Sequence, residues 1–301
     1  MLQSFAKLHG LGNDFLVTDL RNVSDASWFD DPVRIAALCD RHRGVGADGV
    51  LGVFPVTSQA IAAGAIARMR VRNADGSEAE MCGNGLRCIA SWLHLRGAPA
   101  HLSIETGAGV LRCEVMDQGR SVQIEMGPPR LLQTAHGSGP VDFQPDQCHE
   151  TPLAIAGVTL PLYLVSMGNP HAVWFADDTQ PTSDSALWQQ AERLGPQVET
   201  HPLFPLRTNV EFVRRDGPDI FTALVWERGC GITQACGTGA CAVAVAACVR
   251  GLAQPGHPIT VNLPGGALEL CVASDYRQVH MRGPVDYVFD GVLRGISGAE
   301  R

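Results

Sequence analysis

No run of about 18 apolar residues occurs in the chain, so it offers no candidate membrane span. Its opening stretch, MLQSFAKLHGLGNDF, has no basic segment leading into an apolar one, and no signal peptide is expected. Lysine and arginine number 23 against 31 aspartates and glutamates, giving a net charge of −8 and a pI near 5.6. That balance argues against a nucleic-acid surface, which needs clustered basic residues. No Cys-x-x-Cys pair is present, so a structural zinc site is not expected. The ten cysteines are spread over 301 residues, unlike a secreted disulfide framework, and most read as small buried hydrophobes. What remains is a chain with 45% hydrophobic and 18% charged residues, able to bury ordinary cores. Its length is about twice that of a typical domain and favours two domains or one large one.

The chain repeats itself. AEMCGNGLRC (Ala79–Cys88) and TQACGTGACA (Thr233–Ala242) both carry Cys-Gly-x-Gly, with Cys82 and Cys236 154 positions apart. GNDFLV (Gly12–Val17) is echoed by GNPHAV (Gly168–Val173). Asn13 precedes Cys82 by 69 positions and Asn169 precedes Cys236 by 67. Two matches in register point to a duplicated domain.

Short β-branched runs separated by Gly, Pro and Asp turns fill both halves and read as sheet with much antiparallel pairing. The strands expected are Phe15–Thr18, Val50–Phe54, Ala67–Arg72, Leu102–Glu105, Val110–Val115 and Val122–Glu125 in the first half. In the second they are Leu162–Ser166, Ala172–Trp174, Asn209–Arg214, Ile220–Trp226, Ile259–Asn262, Leu268–Val272 and Gln278–Arg282. DDPVRIAALCDRH predicts a helix with an Asp cap and Pro32 in its first turn. SDSALWQQAERLG predicts another, with Gly195 as its stop. TGACAVAVAACVRG is apolar on every face, so its helix must be enclosed, and a curved sheet wrapped around it is expected. NGLRCIASWLHLRG is more mixed but keeps Leu86, Ile89, Ala90 and Leu93 at helical spacing. The paired prolines of MGPPR (Met126–Arg130) mark a break between the halves, and VDYVFDGVL reads as a last strand returning to the first domain. The fold class is therefore α/β (α+β), with domains expected at 1–127 plus a returning strand in 284–301, and at 128–283.

GVGADG (Gly44–Gly49) matches a dinucleotide fingerprint, but a strand-like segment follows it where a helix is required, so its glycines read as a turn. Each Cys-Gly-x-Gly segment fits a helix N-terminus, where unpaired N–H groups attract anions and glycine lets a carboxylate approach. Such a position lowers a thiol's pKa from about 8.5 toward roughly 7. Glycine-rich helix starts also occur for packing alone, and it is the duplication that favours chemistry. Two equivalent thiols at a pseudo-symmetric interface can flank one carbon from opposite faces, which suits stereoinversion. Nine residues before each cysteine stands a polar residue, Asn73 and Glu227. Arg228 is a carboxylate clamp by chemistry, and His171 is a candidate base for ionising a thiol.

HGLGNDF, NADGSEAEMCGNGLRC, MGNPHAV, TNVEF and WERG…ACGTGACA together resemble the diaminopimelate epimerase family, in the family's order from residue 9 to 242. The resemblance implies two similar α/β domains, each a curved mixed sheet about a central helix, with the active site in the cleft. It implies an isomerase that needs no cofactor and no metal, with Cys82 and Cys236 as the acid/base pair and His171 and Glu227 as their activating partners. Substrate-binding groups carried over are Asn13, Asn73, Gly83, Asn84, Asn169, Asn209, Glu227, Arg228, Gly237 and Thr238. The implied reaction converts LL-2,6-diaminopimelate to the meso form in lysine and peptidoglycan precursor biosynthesis. The implied partner is a small amino acid, with neither nucleic acid nor membrane; the location is cytoplasmic, and a homodimer is admitted. Cys230 and Ile232 replace the family's usual Ala and Glu, and Gly49 stands where some members carry Gln. A proline or hydroxyproline racemase is the nearest rival, but its first motif resembles MCGH where this chain has MCGN, and it lacks WERG. A thiol-disulfide protein would lack Cys-x-x-Cys support, and an amino-acid binding protein would leave two cysteines without purpose.

Overall fold

The apolar segment after Cys236 forms the helix Gly237–Val249, buried without interruption from Gly239 to Cys248. A helix with no polar face is stable in water only when enclosed, each buried valine contributing about 1.5–3 kcal/mol. In the computed structural model, which describes residues 2–79, 81–131, 141–147, 150–176 and 182–294, strands supply the enclosure. The chain divides into two units, Met1–Ile124 with Gly283–Arg301, and Glu125–Arg282.

In the second unit the strands lie in the order Thr151–Ile155, Val158–Ser166, Pro170–Phe175, Asn209–Gly217, Ile220–Glu227, Pro258–Leu263, Gly266–Val272 and Val279–Pro284. Successive pairings are antiparallel, antiparallel, parallel, antiparallel, parallel, antiparallel and antiparallel. The helix Gly237–Val249 packs on the six strands from Val158–Ser166 through Gly266–Val272. A second core, including Leu187, Leu194, Phe204 and Phe212, lies under the helix Asp184–Glu199.

The first unit has the same order and the same alternation, from Asp286–Arg294 through Leu2–Gly10, Asn13–Asp19, Gly49–Phe54, Ala65–Asn73, His101–Thr106 and Gly109–Met116 to Ser121–Glu125. Its central helix, Gly83–His94, is buried from Gly83 to Leu93 and packs on the strands from Leu2–Gly10 through Gly109–Met116. The strand beside Leu2–Gly10 comes from the far end of the chain. Pro32–Cys39 stands where the second unit has Asp184–Glu199, capped as its sequence requires by Asp31, whose carboxylate accepts from Val33 and Arg34. The short helix Ser58–Ala62 has no counterpart in the second unit among the described residues.

Every strand read from the sequence is present, most with longer bounds; the last two begin one residue later than read, at Val279 and Asp286. Gly195 is a correction: the helix runs through it to Glu199. A Cβ there would lie 2.6 Å from Cγ of Trp226, so the glycine serves the close approach of helix to indole. The four expected residues Leu86, Ile89, Ala90 and Leu93 are all buried, as are Cys88, Cys241 and Cys248. Cys148 lies outside the described residues.

Candidate active site

Cys82 is the N-cap of the helix Gly83–His94, with extended backbone (φ −141°, ψ 112°), and its sulfur accepts from the N–H of Gly85 at 3.4 Å. Asn13 brings Oδ1 to 4.0 Å from that sulfur. The same oxygen accepts from Asn84 Nδ2 at 3.1 Å, and Asn84 Oδ1 accepts from the fully buried Arg87 at 2.8 Å. On its other side Asn13 Nδ2 donates to Asp48 at 2.9 Å. Asp48 also accepts from Arg41 at 2.7 Å, and Arg41 reaches on to Asp14, which pairs with Lys7. The GVGADG segment is thus a turn, as read from the sequence, and its aspartate anchors a site asparagine. Asn73 stands apart, exposed at the end of its strand and bonded to Ser77 Oγ at 2.9 Å.

At the second motif Cys236 is again an N-cap (φ −114°, ψ 107°), accepting from the N–H of Gly239 at 3.4 Å. Thr238 Oγ1 lies 3.5 Å from the sulfur and accepts from Asn169 Nδ2 at 3.2 Å. Asn169 Oδ1 faces His171 Nε2 at 3.0 Å, and His171 Nδ1 faces Glu211 Oε1 at 2.7 Å. His171 and Glu211 are fully buried. Both ring nitrogens of His171 are therefore engaged, and it meets Cys236 through Asn169 and Thr238, not directly. Glu227 accepts from the Thr233 hydroxyl. Asn209 bridges the next turn, donating to the Pro170 carbonyl at 3.1 Å and accepting from the Arg228 N–H at 2.8 Å. The Arg228 side chain donates to the Leu206 carbonyl at 3.1 Å and forms no ion pair among the described residues. Buried Glu199 holds the turn from below, accepting from Trp226 Nε1 at 2.8 Å and from the Gly229 N–H at 2.9 Å.

The second glycine of each motif has a steric reason. A Cβ on Gly85 would lie 2.9 Å from Leu51, and one on Gly239 would lie 2.9 Å from Glu211 Oε1 and 3.2 Å from the Cys236 sulfur. Gly83 and Gly237 open the two helices. The first N–H groups of both lack partners within their own helices, an arrangement that attracts anions.

The electrostatics at Cys236 correct one expectation. Burial, and then the charges of Glu227 and Glu211, push its thiol well above the usual range; the Thr238 hydroxyl and the Gly239 N–H pull the other way and lose. A helix N-terminus is present, but desolvation outweighs it. Burial likewise raises the Glu211 carboxyl against the attraction of His171, and raises Glu227 against the Thr233 hydroxyl. Cys88, read as a packing residue, is pushed up to about 12 by burial.

Glu211 is one residue that sequence reasoning missed. It stands inside TNVEF, between the buried Val210 and Phe212, and an acid in a buried apolar strand requires a partner. Of the departures, Gly49 packs against the Arg72 carbonyl, where a Cβ would lie 2.5 Å away. Ile232 packs on the second unit's core and Cys230 is exposed. Among the described residues no group of three or more His, Cys, Asp or Glu could hold a metal ion, and no helix is long and apolar enough to cross a membrane.

A family model described as diaminopimelate epimerase matches residues 5–132 and 163–288. A diaminopimelate epimerase of Desulfitobacterium hafniense is 44% identical over 292 residues, covering 95% of this chain and 96% of the relative. One from a Cyanothece species is 41% identical over 300 residues, covering 97% and 100%. Among solved structures, a hydroxyproline epimerase from Agrobacterium vitis aligns with a TM-score of 0.68 at 16% identity, over 97% of this chain and 92% of the other. At that identity the likeness shows the fold alone.

Proposed function

The chain belongs to the diaminopimelate epimerase family, and we propose from that premise that it interconverts LL- and meso-diaminopimelate by a two-thiol mechanism. One thiol comes from each unit: a thiolate takes the α-proton from one face of the carbon, and the other thiol delivers a proton to the opposite face. The observation that carries this reading is the recurrence of one arrangement. Each cysteine caps a buried central helix, with its sulfur on the second glycine's N–H, in sheets of identical order. Packing alone would not call for a polar cap of the same type in both places.

An amino-acid α-proton is a very weak acid, so the site must also stabilise the charge that develops on the substrate carboxylate. The open N–H groups at two helix ends supply that stabilisation, and they do so without reorganising during the reaction. Asn13, Asn84, Asn169 and Thr238 surround the thiols with neutral hydrogen-bonding groups, while Gly83 and Gly237 leave room for the carboxylate. Asn73, Asn209, Glu227 and Arg228 are assigned to the rest of the substrate. His171 and Glu227 act on the thiols' protonation, His171 through Asn169 and Thr238. No cofactor takes part. The same reading makes the halves, 1–127 with 284–301 and 128–283, duplicates of one ancestral domain. It also makes the protein a cytoplasmic homodimer serving lysine and peptidoglycan precursor synthesis, which light scattering and cell fractionation test.

Incubation with LL-diaminopimelate in deuterated water tests the reaction. The expected result is meso-diaminopimelate with solvent deuterium at the inverted carbon. Recovery of unchanged, unlabelled LL substrate from folded protein would overturn the reading.

A further inference from the structure

Four contacts join Glu211 to the Cys236 sulfur: Glu211 Oε1 to His171 Nδ1, His171 Nε2 to Asn169 Oδ1, Asn169 Nδ2 to Thr238 Oγ1, and Thr238 Oγ1 to Sγ. Asn169 Oδ1 has no hydrogen to give, so His171 Nε2 donates to it. Asn169 Nδ2 then donates to Thr238, whose own hydrogen is left for the sulfur. Every donor in the chain points toward Cys236. This order requires two protons on the His171–Glu211 pair, one on Nε2 and one shared between Nδ1 and Oε1.

With one proton fewer, the order reverses. The remaining proton stays on Nδ1, in a charge-assisted bond to the Glu211 carboxylate. Nε2 becomes an acceptor, and the Asn169 amide turns its Nδ2 to it. Asn169 Oδ1 then takes the Thr238 hydrogen, and Thr238 accepts from the Cys236 thiol. No proton crosses the amide; only the direction of the hydrogen bonds changes. We propose that Glu211 is a positioning residue whose pairing with His171 sets, through Asn169, whether the Thr238 hydroxyl donates to or accepts from the Cys236 sulfur. The donating order favours the thiolate and the accepting order favours the thiol.

Two observations indicate that the pair is there for this purpose and not for the fold. The matching positions of the first unit are apolar: Phe15 pairs with Gly49 and Val17 with Leu51, where His171 pairs with Asn209 and Val173 with Glu211. The same sheet position is thus filled in one unit by a phenylalanine and a leucine. Glu211 Oε2 is also buried without a hydrogen-bond partner among the described residues, a costly arrangement for packing alone. The titratable groups sharing this environment are His171, Glu211, Glu227 and Cys236.

The proposal rests on the reading that Cys236 exchanges a proton with substrate, but its test needs no substrate. The rate of iodoacetamide alkylation at Cys236, followed by peptide mass mapping across pH, is compared in wild type, Glu211→Gln, Thr238→Val and the double variant. A glutamine amide can donate to His171 Nδ1, which a carboxylate cannot, and so leaves the single imidazole proton on Nε2; Glu211→Gln is therefore expected to speed alkylation at neutral pH by about threefold or more, the low end of coupling within one hydrogen-bond network. In the Thr238→Val background the same substitution is expected to have a clearly smaller effect, because the path is cut and only the direct charge of Glu211 on the thiol remains to be removed. An equal change in both backgrounds would mean that Glu211 acts only as a nearby charge, and would overturn the proposal. So would no change, or slower alkylation, in Glu211→Gln. Should Glu211→Gln not fold, His171→Phe with Glu211→Leu copies the first unit; its alkylation profile is expected to show one ionisation fewer than wild type, and an unaltered profile overturns the proposal. Deuterium incorporation from LL-diaminopimelate separates failure of this proposal from failure of the reaction assignment.

Discussion

Leu51 and Glu211 stand at the same position of the two sheets, Leu51 opposite Val17 and Glu211 opposite Val173 in the equivalent parallel pairs. Each also lies against the second glycine of its helix start. The two cysteine ends thus share a backbone and differ in chemistry. Cys82 is surrounded by amides anchored to an ionic network, whereas Cys236 adjoins a buried acid–imidazole pair and a second carboxyl. A duplicated fold has kept its geometry and divided its titratable groups unequally.

If the thiols share the reaction, neither suffices alone. Cys82→Ala and Cys236→Ala are each expected to lower net inversion by about 100-fold or more, the scale of losing a positioned acid or base. In wild type, solvent deuterium should enter product while early recovered substrate keeps its hydrogen. Full epimerisation by either variant, measured by chiral chromatography, would rule out the two-thiol mechanism.

Burial raises the Glu211 carboxyl in the folded protein above its ordinary value of 4.5. A raised folded value means the native state binds the proton more tightly than the unfolded chain does. Its contribution is fully present below about 4.5 and is lost as pH rises through the folded value. Glutamine lacks this loss. The melting temperature of Glu211→Gln is therefore expected to gain on wild type as pH rises from about 4.5 to 7, by a few degrees, since 1 kcal/mol is worth about 2–4 °C in domains of this size. Parallel melting curves across that range would show that His171 cancels the desolvation of Glu211.

The strands were legible because β-branched runs and turn residues alternate, and the central helix because TGACAVAVAACV has no polar face. Leu2–Gly10 was not read as a strand: LQSFAKLHG has no β-branched residue, and its pairing on both sides comes from partners far away in sequence. Gly195 looked like a stop because its role depends on Trp226, 31 positions later. The two cysteine caps and the asparagines beside them were legible from motif and repeat. Glu211 and Asp48 were not, since each touches a site residue through a side chain whose partner only the folded register supplies.

Asp48 anchors Asn13, accepting from its side-chain amide and from the N–H of Asp14. Replacing Asp48 with Asn keeps the shape but removes the charge that Arg41 and the Asn13 amide both use. A charge-assisted hydrogen bond is worth about 1.5–3 kcal/mol, so kcat/KM is expected to fall about tenfold while the Cys236 alkylation profile stays unchanged. A change in that profile would mean that the two ends are not independent; unchanged kinetics would remove Asp48 from the site's support.

Arg228 is exposed, fixed at its backbone by Asn209, and without an ion pair among the described residues, although the same chain pairs Arg207, Arg214 and Arg41 with carboxylates. A guanidinium held in place and left unpaired is suited to a ligand carboxylate. Diaminopimelate has a second amino-acid centre remote from the reacting carbon, and that end is where discrimination from shorter amino acids must arise. Arg228→Met leaves both thiols and both helix ends in place and removes a charge-assisted bond of about 1.5–3 kcal/mol. The expected result is at least a tenfold loss in kcat/KM for diaminopimelate, with Cys236 alkylation and the melting temperature unchanged. Glu199→Gln should give a smaller loss of the same kind, because Glu199 holds the turn that carries Arg228. A folded Arg228→Met enzyme with wild-type kcat/KM would exclude Arg228 from substrate recognition and leave the distal carboxylate to the neutral amides.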